Sequence, residues 1–428
     1  MKDLAAIRGS LTIGAALALL CACGSLQVPM NAPPTGAQAM PQTSMRATPS
    51  TNSNYKVLYM FRKAPDGVRP EANLIDDGGM LYGTTEYGGI HNRGTVFTIT
   101  VDGTEKVLHS FGGPDGARPT SGLVDVNRKF YGTTQSGGTA SAGTVFSVTK
   151  GGKEKVLHSF GAADGSDPKA GLAEVAGMLY GTTAYGGTRG RRARGTVFEI
   201  DTSGSEKLLH TFTVVHGDGA RPAATLIDVG GVLYGTTAYG GAPHGGGGTV
   251  FSITTAGKES VLHSFTLYGS DGSRPLTSLT ALNGTLYGTT SGGGAYTCYL
   301  QPCGTVFSVT TAGSEQVLYN FSGAPDGAFP VAGLVDVNGT LYGTTSTGGS
   351  HGGGTLFSIT PSGTETILHN FGSGERDGIL PAASLIAVNG TLYGTTAGGG
   401  EPCSCGTVFE FKLPSASRFV SAGAANGS

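Results

Sequence analysis

One unit of about 50 residues recurs seven times after residue 54, and this repetition limits the possible folds more than any other property of the 428-residue chain. The string Y-G-T-T begins at Tyr82, Tyr131, Tyr180, Tyr234, Tyr287, Tyr342 and Tyr393. G-T-V-F or G-T-L-F begins at Gly94, Gly143, Gly195, Gly248, Gly304, Gly354 and Gly406. A V-L-x-x-F-like string and a D-G-x-x-P string accompany every copy, the first of them at Val57 and Asp66. Two-residue turns such as Asn338-Gly339 tolerate the positive φ of tight hairpins and divide each unit into four short strands, here a to d. Both faces of these strands carry apolar side chains or Thr, so a single sheet cannot bury itself and its neighbours must stack on it. The expected fold is all-β: a seven-bladed β-propeller of four-stranded antiparallel blades.

The phase of the repeat predicts how the ring closes. A G-x-E turn precedes strand d at Gly103, Gly152, Gly204, Gly257, Gly313 and Gly363. The first copy of strand d, Val57 to Phe61, has no such turn before it, and the last strand c, Gly406 to Lys412, has no strand d after it. The N-terminal strand is therefore expected to complete blade seven, leaving no open sheet edge at the join.

Ahead of the repeats, Lys2 and Arg8 flank a short basic start, and the apolar run that follows, Leu11 to Leu20, is too short to span a bilayer and suited to a secretory signal. The run ends in Leu20-Cys21-Ala22-Cys23, which resembles a bacterial lipobox. That resemblance implies removal of residues 1–22 and lipidation of Cys23. Gly24, where an Asp would suggest inner-membrane retention, points to the outer membrane. The alternative is an ordinary signal cleaved nearby to release a soluble secreted protein. Residues 23–54 read as anchor and flexible tether, 55–413 as the propeller, and 414–428 as a flexible tail.

The L-Y-G-T-T, G-G, G-T-V-F and V-L-H-S-F strings resemble the choice-of-anchor tandem-repeat GloVer family over residues 55 to about 412. The resemblance implies a secreted propeller joined to a surface anchor and carries no assigned reaction.

Chemistry is sparse in the repeats. D-G-x-x-P would set seven carboxylates on one rim, as cation or carbohydrate contacts, or else as Asx-type turns in which Asp bonds the backbone two residues on. The turn reading is preferred because no D-x-D-x-D run gathers calcium ligands. His109, His158, His210, His263 and His369 recur in strand d with Tyr59 and Tyr319 as substitutes, which reads as packing. No H-E-x-x-H, G-x-S-x-G or Walker string occurs. Catalytic residues, metal ligands and cofactors are accordingly expected to be none, and the chain is expected not to be an enzyme.

Recognition is expected in the variable b–c loops. Arg189, Arg191, Arg192 and Arg194 would grip an acidic polymer or anionic glycan, or form a solvated loop. Tyr296 and Tyr299, with Tyr185, Tyr239, His91, His244 and His351, form a polar aromatic rim suited to weak sugar or protein contacts. Cys298 with Cys303 and Cys403 with Cys405 are expected as disulfides in an exported protein, zinc ligation by all four being the alternative. A net charge of −2 gives no reason to expect nucleic acid. The expectation is a monomeric, non-catalytic binding or display module for a glycan or envelope protein, touching the membrane only through its lipid. The alternatives are a propeller lyase or hydrolase working at the central opening, and a purely architectural surface protein.

Overall fold

The computed structural model describes residues 54–414, apart from 214, 216, 242–245 and 268 and the side chain of Arg191. Cys23, the signal and tether, His244 and the C-terminal tail lie outside the described residues. Seven antiparallel sheets follow one another as blades, each with four strands ordered a-b-c-d, and in blade four Gly219–Pro222 pairs with strand b as a fifth. In blade one these strands are Ile75–Asp77, Met80–Thr85, Thr95–Thr100 and Glu105–Ser110.

Blade seven is assembled from both ends of the described chain. Ile386–Val388, Thr391–Thr396 and Thr407–Lys412 supply strands a to c, and Tyr55–Met60 is strand d. The register pairs Tyr55 with Phe411 and Val57 with Phe409, then slips at Leu58 so that Tyr59 meets Val408. The same one-residue bulge interrupts the c–d pairing of blade one, where Leu108 is passed over between Val107 and His109. The N-terminal segment therefore behaves as a full strand d, as the repeat phase predicts.

Each recurrent motif has a packing cause. The Phe that ends strand d meets the Phe of the next blade's G-T-V-F edge to face: Phe111 with Phe146 at 5.1 Å and Phe160 with Phe198 at 5.1 Å between ring centroids. The ring closes the same way, with Phe61 on Phe97 at 5.1 Å and Phe371 on Phe409 at 5.2 Å. All of these rings are fully buried, and each such pair adds about 0.5–1.5 kcal/mol beyond its area burial. Gly83 of Y-G-T-T lies under Phe97, where a Cβ would come within 2.7 Å of the ring, so only glycine lets the aromatic lie flat on strand b. The last Thr of Y-G-T-T shares a hydroxyl hydrogen bond with the Thr of G-T-V-F directly opposite, as in Thr85 and Thr95 at 2.8 Å.

The G-x-E turn is explained by a contact between blades. Gly103 adopts φ +95°, and a Cβ there would lie 2.5 Å from the carbonyl oxygen of Leu58. Gly152 sits likewise on Leu108. In six of the seven strands d the bulge turns a Leu carbonyl onto the glycine of the following blade. Thr395 Oγ1 also donates to the Ala72 carbonyl at 3.3 Å, joining blade seven to the arm that enters blade one.

Candidate functional site

The arm from strand d to the next strand a carries D-G-x-x-P and pairs with the following b–c loop, as Gly67–Val68 does with Tyr87–Gly88. Arms and b–c loops therefore share one face. The Asp holds the arm in shape: Asp66 accepts from its neighbour Gly67 N at 2.6 Å, from Arg62 N at 2.8 Å and from the Tyr59 hydroxyl at 2.8 Å. The turn reading stands with altered geometry, because these donors precede the Asp or adjoin it rather than lying two residues on. The strand-d His binds the same Asp, His109 Nε2 to Asp115 Oδ2 at 2.9 Å, and also packs edge-on against Phe111.

The residue before each Pro is the unexpected one. Arg69, Arg118, Asp167, Arg221, Arg274, Phe329 and Leu380 occupy equivalent positions in the seven arms, and all adopt φ between +54° and +60°. A left-handed conformation costs a residue with a Cβ about 1–2 kcal/mol, a strain glycine would avoid. Two backbone hydrogen bonds enforce it. Arg118 N donates to Arg93 O at 2.8 Å, and Gln135 N donates to Arg118 O at 3.0 Å. Arg221 N is bound in the same way to Arg194 O at 2.8 Å. Residues with a Cβ, not glycine, therefore occupy all seven strained positions.

Four of the seven are arginines, and tyrosines stand between them. The Tyr87 ring lies 5.8 Å from the Arg69 guanidinium and 5.5 Å from that of Arg118. Arg221 is 4.8 Å from Tyr185 and 5.2 Å from Tyr239, and Arg274 is 5.7 Å from Tyr239. Cation–π contacts at such distances orient the guanidinium planes. Glu86 is 3% exposed and fastens the start of the arc, bound by Arg118 through Nε at 3.0 Å and through Nη2, and paired with Arg69 Nη1 at 3.4 Å. Glu71 lies 2.5 Å from Arg69 Nη2. Burial, then the neighbouring Glu86 carboxylate, raises the Glu71 pKa.

Arg69, Arg118 and Arg221, with Glu71, Glu86, Tyr185 and Tyr239, line a cavity of about 590 Å³ that Lys169 and the uncharged Leu276, Val331 and Ala382 also line. A narrower polar recess continues past Asn73, Ser121 and Thr277. Among the described residues lining the wide cavity there is no His, Cys or Ser, and both carboxylates, Glu71 and Glu86, are bound by arginine. The arrangement suits recognition of a planar anion by paired guanidinium donors over aromatic faces.

The residues expected to bind take other places on this face. Arg189, Arg192 and Arg194 are exposed around a single 3₁₀ turn, Gly190–Arg192, which also contains Arg191. Of these, Arg194 reaches the arc through its carbonyl on Arg221. Cys298 and Cys303 form a disulfide closing a small hairpin, Thr297–Cys298 against Gln301–Pro302, that presents Tyr296 and Tyr299 at 53% and 72% exposure. Cys403 and Cys405 form the second disulfide. Tyr185 and Tyr239 line the cavity, whereas His91 and His351 are exposed on their loops. The arginine arc escapes a search confined to variable loops. Its signal is the one position inside a fixed motif that changes from Arg to Asp, Phe or Leu.

The family model of the Gloeobacter/Verrucomicrobia repeat matches residues 42–247 and again 243–427. The chain belongs to that family. Its repeat motifs are therefore the blade elements described above, and the expected GloVer resemblance is borne out. No curated protein sequence matches. Among solved structures, puromycin hydrolase is similar over 80% of this chain and 51% of its own, with TM-score 0.51 and 14% identity. A protein from Bacteroides uniformis provisionally named 6-phosphogluconolactonase is similar over 72% of this chain and 86% of its own, with TM-score 0.47 and 14% identity. A puromycin-hydrolyzing peptidase of Mycobacterium tuberculosis is similar over 83% of this chain and 54% of its own, with TM-score 0.46 and 14% identity. At such identities the likeness concerns fold alone.

Proposed function

We propose that this chain is a lipid-anchored envelope protein whose propeller binds an acidic glycan, without catalysis, at the arginine–tyrosine mouth. The observation that carries the reading is the strained arc of Arg69, Arg118, Arg221 and Arg274, the first three of them lining one cavity, interleaved with Tyr87, Tyr185 and Tyr239. Backbone strain is spent at all seven arms, yet cations occupy only one part of the ring. An acidic sugar offers both features this surface needs: a planar carboxylate for the guanidinium forks, and a ring face for the tyrosines. Lipidation at Cys23 and export to the outer membrane would place the mouth among envelope polysaccharides.

A lyase or hydrolase at the same opening would need a free acid or base. The two carboxylates there, Glu71 and Glu86, are held by arginine, which favours binding. An acidic envelope protein on the same arc is the other outcome the test separates.

The test is titration of the full chain with an oligouronate and with its neutral, reduced counterpart at two salt concentrations. The oligouronate is expected to bind and to weaken as salt rises, and the neutral sugar to bind at least tenfold more weakly. Arg118→Ala and Arg221→Ala should each cost tenfold or more. Equal binding of both sugars, or indifference to both substitutions, would contradict the reading. Acceptance of acidic peptides alone would move the ligand class to protein.

A further inference from the structure

Six of the seven junctions between neighbouring blades repeat one cluster of three side chains. The strand-d His or Tyr and the Asp of the following arm come from one blade, and the Glu that opens strand d comes from the next. Four consecutive junctions carry His, Asp and Glu together, and in three of them the donor atoms converge: His109, Asp115 and Glu154; His158, Asp164 and Glu206; His210, Asp218 and Glu259. In each, one donor atom per residue lies within 4.8 Å of the other two. The His Nε2 to Asp Oδ2 distances are 2.9, 2.7 and 3.5 Å.

A second observation points to a missing partner. At all six junctions that carry the Glu, namely Glu105, Glu154, Glu206, Glu259, Glu315 and Glu365, its Oε1 is out of contact with solvent and without a hydrogen-bond partner, and His210 Nε2 and His263 Nε2 are in the same condition. A carboxylate oxygen shut away beside a second carboxylate is unfavourable unless a cation or proton lies between them.

The other junctions show how the ring manages when a donor is changed. Tyr59 and Tyr319 replace the imidazole at two of them. At the closing junction Tyr55 stands where Glu would, donates to Asp377 at 2.7 Å and stacks on His369 at 3.7 Å. That junction is complete without an ion. His263, Asp271 and Glu315 are not among the clusters close enough to share one.

We propose that the three junctions whose donors converge bind a divalent transition-metal ion of the zinc class, each through one imidazole nitrogen and two carboxylate oxygens, fastening adjacent blades together. A mixed nitrogen and oxygen set of three suits zinc with solvent as the fourth ligand. Calcium, which takes six to eight oxygens, suits it poorly.

The full chain, purified without a polyhistidine tag and stripped with chelator, is titrated calorimetrically with zinc chloride and melted with zinc or with calcium. The comparison is Glu154→Gln, Glu206→Gln and Glu259→Gln, singly and together. The parent is expected to bind three more equivalents of zinc than the triple variant, each single substitution removing one. Zinc should raise the parent's Tm and leave the triple variant's unchanged. Equal zinc stoichiometry in parent and single variants would overturn the proposal, as would stabilisation by calcium equal to that by zinc. If the triple variant fails to fold, the single-site steps decide alone.

Discussion

At the scale of the residue, two kinds of side chain meet physical demands that propensity does not explain. Gly83 is chosen for the absence of a Cβ: Gly83→Ala would drive a methyl into Phe97 and Leu74. Overpacking of this sort costs about 1–3 kcal/mol, and chemical denaturation of the variant should show that loss. The junction glutamates face the opposite problem. Glu105, Glu315 and Glu365 have pKa values pushed up to about 7, first by burial and then by the aspartate opposite each. A carboxyl whose folded pKa exceeds its unfolded value stabilises the fold below the unfolded value, near 4.5, and loses that contribution as pH rises through about 7. The triple substitution Glu105→Gln, Glu315→Gln, Glu365→Gln should therefore raise the Tm at pH 8 and change it little at pH 4.5. Equal effects at both values would contradict this. Asp377 works in the other direction. Burial opposes its ionisation, but hydrogen bonds from His369, Tyr55 and Ser373 outweigh it and hold the pKa at about 2. Its contribution is lost only as pH falls below about 4 towards 2, outside the window of the glutamates.

At the scale of the element, strands and their partners were readable because each carries a motif repeated seven times and each turn has its own chemistry. Asn338-Gly339 marks a hairpin, and Gly103-Thr104-Glu105 marks the entry to strand d, whatever the tertiary structure. The bulge at Leu108 is invisible in the sequence, because strand d carries no residue that marks it and its carbonyl meets a glycine of another blade. The arginine arc was hidden for a related reason. Arg69 and Arg221 look like filler within D-G-x-x-P, and their positive φ is imposed by hydrogen bonds from distant segments. His109, Asp115 and Glu154 likewise belong to three separate motifs and become one cluster only when blades stack. The b–c hairpin of blade five behaves as a local unit. Reducing the Cys298–Cys303 disulfide removes about 2 kcal/mol by the loop-entropy relation. With only four residues between the cysteines, that loss should appear as faster proteolysis near Tyr299. A large fall in the global Tm would show that the hairpin supports the ring.

At the scale of the whole molecule, seven arms surround one mouth only if the ring is shut. The N-terminal strand supplies Phe61 to blade one's Phe97, Leu58's carbonyl to Gly103, and Tyr55 to the His369–Asp377 pair. One strand therefore completes a sheet, a core contact and a polar junction together. Removing the Phe61 ring alone would cost about 3–5 kcal/mol. Losing the strand would expose the Thr407–Lys412 edge as well. The decisive measurement is thermal unfolding of the chain lacking residues 55–62, followed by circular dichroism beside the full chain. The closed ring predicts one cooperative transition displaced downward by 10 °C or more, or failure to fold. A melt superimposable on that of the full chain would contradict it.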